Sequence, residues 1–197
     1  YHHKYGIMME VIRNLPESLP DTPPEVPPLR QGIEAIIVYQ GALNLGRGLE
    51  SAILAMQFTE GIRLVLIGTG DVEDALKELA ERTGVSGKVT FTGRIAPEQL
   101  PAYTAQADLG ISLEEDLGLN YRYALPNKVF DYIRSGVPVL VSDLPMLREL
   151  VEKYGIGSIA PSGDPESLAR IFSEWAKGDY RMKLALQLRA ANTELNW

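Results

Sequence analysis

Downstream of residue 31 the chain repeats one pattern of hydrophobicity: a short apolar run, then a longer stretch whose apolar residues recur at helical spacing. Runs of the first kind read as buried strands and stretches of the second as amphipathic helices. Regular alternation of the two leaves one economical arrangement, a parallel sheet with helices on both faces. Strands are expected over residues 34–39, 63–67, 88–91, 109–112, 138–141 and 157–159. They predict a doubly wound, Rossmann-like α/β sheet of about six strands.

The intervening segments carry their own punctuation. A helix over about 48–58 has Leu49, Ile53, Leu54 and Met56 on one period, and a second over about 72–83 repeats Leu76, Leu79 and Ala80. Asp71 is placed to cap the second helix and Gly84 to close it. Further helices are expected to open at Pro97, near Leu125 or Pro126, at Pro145, and at Pro165 after Asp164, because proline suits the first turn. Before the alternation, Pro16, Pro20, Pro23, Pro24, Pro27 and Pro28 withhold donors and fix φ, so residues 1–30 read as an extended connector. The compact domain is then expected over 31–178, with a last helical segment over 179–197. Leu195 and Trp197 have no evident partner in such a domain and are assigned to a contact with another one.

Composition narrows the choice of function. A chain of 197 residues accommodates one substantial α/β domain. A net charge of -7 argues against nucleic acid as a partner, since that binding neutralises many phosphates with a basic surface. The longest apolar runs, 35–39 and 137–141, fall far short of the ~20 residues of a membrane span. The absence of cysteine excludes disulfides and thiolate zinc sites and fits a cytoplasmic setting.

In a doubly wound sheet ligands gather at the carboxyl ends of the strands, so the loops there bear the chemistry. The loop after the first strand reads YQGALNLGRG. Its glycines approach a Walker A loop, but Arg47 replaces the lysine and Gly48 the magnesium-binding hydroxyl, which disfavours a P-loop NTPase. The glycines also miss the G-x-G-x-x-G spacing of dinucleotide sites, which disfavours NAD. What remains is a turn at Gly41 and a guanidinium at Arg47 where a helix begins, a combination suited to phosphate. A surface arginine beside structural glycines explains this loop equally well.

The longer loop, SLEEDLGLNYRYALPNKVFD over residues 112–131, gathers acidic, amide, aromatic and basic groups. Asn127 and Lys128 fall in the first turn of the helix it enters, where a cation is unfavourable unless something negative lies near. A bound phosphate would supply that charge, and Asp131 one turn on could accept from a sugar's hydroxyls. A helix cap with charged flanks is the plainer alternative. Glu114, Glu115 and Asp116 are neighbours on a loop without a histidine, so no tightly held metal and no resident cofactor are expected.

Taken together, these blocks resemble the retaining glycosyltransferases of family 4, also called group 1, of the GT-B class. GALNLGRG looks like the family's G-R-L-x-x-x-K-G, which implies that Arg47 takes the place of a phosphate-binding lysine. Ala42 stands where a phosphate-binding arginine would be, which implies weaker diphosphate binding or substitution by another cation such as Lys128. The stretch from LVLIGTGD to ADLGISL resembles the family's middle block, and implies that Gly93, Arg94 and Ile95 lie beside the nucleobase. EDLGL followed by KVFDYIRSGVPVLVSD is similar to E-G-F-G-L-x-x-x-E-A-M-A-x-G-x-P-V-V. That alignment makes Glu115 the carboxylate on the donor sugar, Gly118 and Leu119 the backbone donors to diphosphate with Asn120 beside them, and Asp131 the ribose carboxylate. The family's Glu-x7-Glu spacing is broken, as though residues 120–127 were inserted, and a subset of polysaccharide transferases carries a similar L-P-N-K-[LV]-F-[ED]-Y block.

The resemblance implies the nucleotide-sugar-binding half of a GT-B enzyme, using a UDP- or GDP-linked donor with retention. An acceptor domain in cis would precede this one and carry any peripheral membrane contact, and this chain alone would transfer little or nothing. A GT-B nucleotide-sugar epimerase and a non-catalytic α/β interaction module are the alternatives. A phosphoacceptor receiver is disfavoured by Gln40 and Thr92, which stand where acidic residues would be needed.

Overall fold

The structure, a computed structural model, describes residues 6, 24–30, 32, 34–161 and 163–195. Most of the connector expected over 1–30, and Trp197, lie outside these residues. Six strands form one sheet: β1 (Ala35–Gln40), β2 (Ile62–Ile67), β3 (Val89–Gly93), β4 (Leu109–Ser112), β5 (Val139–Ser142) and β6 (Gly157–Ala160). Every neighbouring pair is parallel and the order is β3-β2-β1-β4-β5-β6. Each expected strand is present, 109–112 with the expected bounds and the others with one or both ends shifted by a residue or two, because an apolar run marks the buried stretch better than the last ladder bond.

The helices are α1 (Leu49–Ala55), α2 (Glu73–Arg82), α3 (Leu100–Thr104), α4 (Leu119–Arg122), α5 (Asn127–Arg134), α6 (Pro145–Tyr154), α7 (Pro165–Lys177), α8 (Tyr180–Lys183) and α9 (Ala185–Glu194). They cover two faces and build two cores. Ile37, Tyr39, Leu64 and Leu66 pack with Leu49, Ile53, Leu76, Leu168 and Phe172 on one side. Ile36, Val38 and Val65 pack with Val129, Ile133, Leu147 and Leu188 on the other. The strict alternation along β1 is the period of two that sends successive side chains to opposite faces.

Local signals succeed where the chain itself supplies the partner. Pro145 and Pro165 open α6 and α7, Asp164 Oδ2 accepts from the Ser167 N–H at 2.8 Å, and Pro126 caps α5. Gly84 follows α2 at φ +71°, with the Val85 N–H returning to the Ala80 carbonyl at 2.9 Å. Four expectations need correction. Asp71 does not cap α2: Val72 does, without a side-chain bond, while the Asp71 N–H donates to Asn44 Oδ1 at 3.2 Å. Pro97 opens only a turn, and α3 begins at Leu100 with Pro101 in its first turn. The connector between β4 and α5 contains a short helix, α4, that its mixed composition hid.

The fourth correction concerns the tail. Residues 180–194 form two helices, and Leu195 is 3% exposed in the same core as Leu150, Val151, Leu188 and Ala191, so it is buried within this domain. Arg181 reinforces the docking by donating to the carbonyls of Ala105, Gly136, Ala107 and Ser135 at 2.5 to 3.2 Å. These carbonyls follow the last turns of α3 and α5, where unpaired acceptors need donors.

Candidate functional site

The strand order reverses between β1 and β4, so a crevice opens beyond their carboxyl ends. Two adjoining hollows occupy it. One, of about 440 Å³, is lined by Tyr39, Gly41, Arg47, Asn127, Lys128 and Asp131 among others. Its neighbour, about 260 Å³, includes Thr69, Arg94 and Ile95, and the two share Gln40, Gly41, Ala42 and Leu100. The crevice thus unites Gly41, Arg47, Arg94, Ile95, Asn127, Lys128 and Asp131, seven of the residues singled out in the sequence.

Two residues that line the larger hollow, Arg47 and Lys128, meet one buried carboxylate. Glu114 is 2% exposed; its Oε1 accepts from Lys128 Nζ at 2.5 Å, and its Oε2 accepts from the Ser112 hydroxyl at 2.7 Å. Arg47 NH1 stands 3.6 Å from the same Oε1. Gly48 makes this approach possible. It caps α1 at φ +66°, and a Cβ there would lie 2.3 Å from the Leu113 carbonyl oxygen, so only glycine lets the β1 loop touch the end of β4. The same need explains why no Walker hydroxyl can occupy that position.

Burial pushes the Glu114 carboxyl up, but the charge and hydrogen bond of Lys128 and the Ser112 hydroxyl outweigh it and hold the carboxyl below its ordinary value. Burial works against the charge of Lys128, and Arg47 adds repulsion; the net direction is down despite Glu114. Glu114 therefore stands as the carboxylate between two basic side chains, Lys128 and Arg47. Arg47 Nε is buried without a hydrogen-bond partner among the described residues, and the guanidinium lies 5.6 Å from the Tyr121 ring centre. Lys128 Nζ lies 4.6 Å from the centre of the Tyr39 ring, whose hydroxyl donates to the Ala42 carbonyl at 2.7 Å. Glu114, read in the sequence only as one of three neighbouring loop carboxylates, is thus held in one geometry, and the counter-charge of Lys128 is Glu114 itself.

Asp131 lines the larger hollow, beside Gln40, which the two hollows share. Gln40 Nε2 donates to its Oδ2 at 3.0 Å and Arg134 NH2 to its Oδ1 at 2.9 Å. Burial raises its pKa above the ordinary aspartate value, although Arg134 and Gln40 oppose that. Gln40 is held in turn by the Thr104 hydroxyl, which donates to Oε1 at 2.6 Å. Gln40, Thr104 and Glu114 are the site residues that sequence reasoning missed. Their signals were present: Gln40 is polar at the end of an otherwise apolar strand, and Ser112 and Glu114 stand two apart on extended chain, hence on one side.

Other candidates lie elsewhere. Glu115 lines a separate hollow of about 280 Å³ with Asp116, Ser142 and Asp143, although its N–H is tied to the Gly46 carbonyl at 3.0 Å. Gly118, Leu119 and Asn120 are exposed around the start of α4 and line neither hollow of the crevice. Among the described residues no three carboxylate or imidazole groups converge as a metal cage, and no helix is long and apolar enough to cross a membrane.

A doubly wound domain with its crevice at the β1/β4 reversal belongs to the class of Rossmann-like domains. Residues 27–194 match the family of glycosyl transferases group 1, and the chain belongs to that family. It is 28% identical over 159 residues to an uncharacterized glycosyltransferase of Methanocaldococcus jannaschii, covering 76% of this chain and 39% of that protein. It is 29% identical over 147 residues to the chitobiosyldiphosphodolichol beta-mannosyltransferase of Candida albicans, covering 71% of this chain and 31% of that one. The chain thus spans well under half the length of these relatives.

Solved structures agree on architecture. WaaG, a glycosyltransferase involved in lipopolysaccharide biosynthesis, superposes with a TM-score of 0.70 at 19% identity over 91% of this chain and 51% of its own. Anabaena HepE, solved with UDP and glucose, gives 0.67 at 22% identity over 83% and 45%. The sheet is the Rossmann-like half of a GT-B fold.

Proposed function

We propose that this chain is the donor-binding half of a retaining glycosyltransferase, taking a nucleoside diphosphate sugar in the crevice between β1 and β4. The observation that carries the reading is the Arg47–Glu114–Lys128 group: two basic side chains that line the larger hollow and meet one buried carboxylate. The diphosphate would lie against Arg47 and Lys128, ribose against Asp131, and the base in the smaller hollow beside Arg94 and Ile95. HepE, a structural neighbour, was solved with UDP in place, which supports a nucleotide as ligand. As the leaving diphosphate gathers charge, preorganised cations in a half-dry site stabilise it, and no covalent nucleophile and no tightly held metal are required. Glu115 would reach the donor sugar only from the neighbouring hollow, after rearrangement of residues 115–118.

The domain limits that go with this reading are 31–178 for the donor unit, with 1–30 as connector and 179–197 as a tail packed on it. An acceptor domain in cis would complete the catalytic site, and this chain alone would transfer little. Calorimetric titration with UDP and GDP, with and without magnesium, tests the reading. Saturable binding of one base, little changed by magnesium, is expected. Binding of neither would favour an α/β interaction module.

A further inference from the structure

Glu114 meets two basic residues of the crevice, and the donor reading assigns it no ligand. Its side chain is 1% exposed and meets Lys128 Nζ, Arg47 NH1 and the Ser112 hydroxyl. Without it, two cations would face one another across a largely desolvated space, and like charges at that range repel strongly. With it, any incoming diphosphate must share Lys128 and Arg47 with a resident anion. The carboxylate cannot withdraw easily, because Oε2 is anchored by Ser112 on β4.

We propose that Glu114 is a positioning residue and the internal counter-ion of the diphosphate site: it keeps Lys128 and Arg47 aimed at the hollow and tempers their hold on diphosphate, so that the nucleotide product can leave. The proposal rests on the donor-site reading, and deepens it by naming the group that sets affinity. A carboxylate that merely ties β4 to α5 would influence folding and leave anion binding unmoved.

The experiment titrates inorganic pyrophosphate, UDP, GDP, uridine and guanosine into the wild-type chain and Glu114→Gln at two salt concentrations. Removal of the carboxylate charge is expected to tighten pyrophosphate and the matching nucleotide by roughly tenfold and to steepen their salt dependence, while the uncharged nucleosides bind as before. Unchanged or weaker pyrophosphate binding by a folded variant overturns the proposal. If the variant is too unstable for titration, melting with and without pyrophosphate decides: a larger rise for the variant than for wild type supports the counter-ion, because an added anion replaces the missing one. Equal rises overturn it.

The two readings fail separately. Should pyrophosphate behave as expected while neither nucleotide binds better than pyrophosphate, Glu114 keeps its role and the donor reading falls. Should one nucleotide bind well to both proteins with the same affinity, the donor reading stands and the counter-ion falls. Binding of no anion to either protein sinks both.

Discussion

The connector between β4 and α5 contains two regions of opposite character. At its ends, Ser112 and Glu114 on one side and Lys128 on the other are buried and bonded to one another across the chain, with Asp131 one turn further on. Its middle, residues 115–123, is mostly exposed, holds Leu117, Leu119 and Tyr123 in solvent, and has one loose ion pair, Arg122 with Asp116 at 3.5 Å. Charges removed from water must satisfy each other, so the ends have one geometry and strand a partner if either is lost. Exposed groups meet water in any arrangement, so the middle is free to follow a ligand or a second domain. The lesson is that the connector is fixed where its charges are buried and adaptable where its side chains meet water.

Breaking the buried end should have the largest effect. Lys128→Ala leaves Glu114 buried beside an arginine that is not hydrogen-bonded to it, and is expected to destabilise the fold by ~3 to 5 kcal/mol in chemical denaturation. A loss below ~1 kcal/mol would show that the ends are as adaptable as the middle. Gly48→Ala should follow, at roughly 2 to 4 kcal/mol, since it combines a left-handed backbone with a clash at the Leu113 carbonyl. Denaturation of that variant at wild-type midpoint would mean that the β1 loop can move off β4.

Arg47→Ala tests the ligand side, and weakening of nucleoside diphosphate binding by ~1.5 to 3 kcal/mol is expected from loss of a charged donor. An unchanged dissociation constant removes Arg47 from the site. The pH response should be subtler. Glu114 has its folded pKa lowered, so its contribution is complete above the unfolded glutamate value of about 4.3 and is lost as pH falls through the lower folded value. Asp131 is raised, so its protonation favours the fold below the unfolded aspartate value of about 3.9, and that benefit is lost as pH rises through the folded value. Melting curves for Glu114→Gln should therefore lose part of the wild-type decline on acidification, whereas Asp131→Asn should not reproduce that change. Leu119→Ser, in the exposed middle, should alter stability by no more than ~0.5 kcal/mol, and a greater loss on melting would show that the middle is packed.

Legibility in the sequence follows the range of the interaction. The strands and the helix starts at Pro126, Pro145 and Pro165 could be read because hydrophobic period and proline act within a few residues. Asp71 misled because Asn44, distant in the chain, holds that turn. Leu195 misled because its partners on α6 and α9 converge only after the tail folds back.

Periodicity was enough to predict a doubly wound parallel sheet with its ligand loops at the strand ends, because it rests on local chain geometry, whereas Arg47, Lys128 and Asp131 were singled out with plainer alternatives open until the family resemblance chose among them. Tertiary structure alone decided that Glu114, and not Glu115, sits with the cations, and that Gln40 holds Asp131. One residue of register on extended chain chooses between the buried side and the exposed side. That choice is made by the Lys128 ammonium arriving from α5, which only the folded sheet brings within hydrogen-bonding distance.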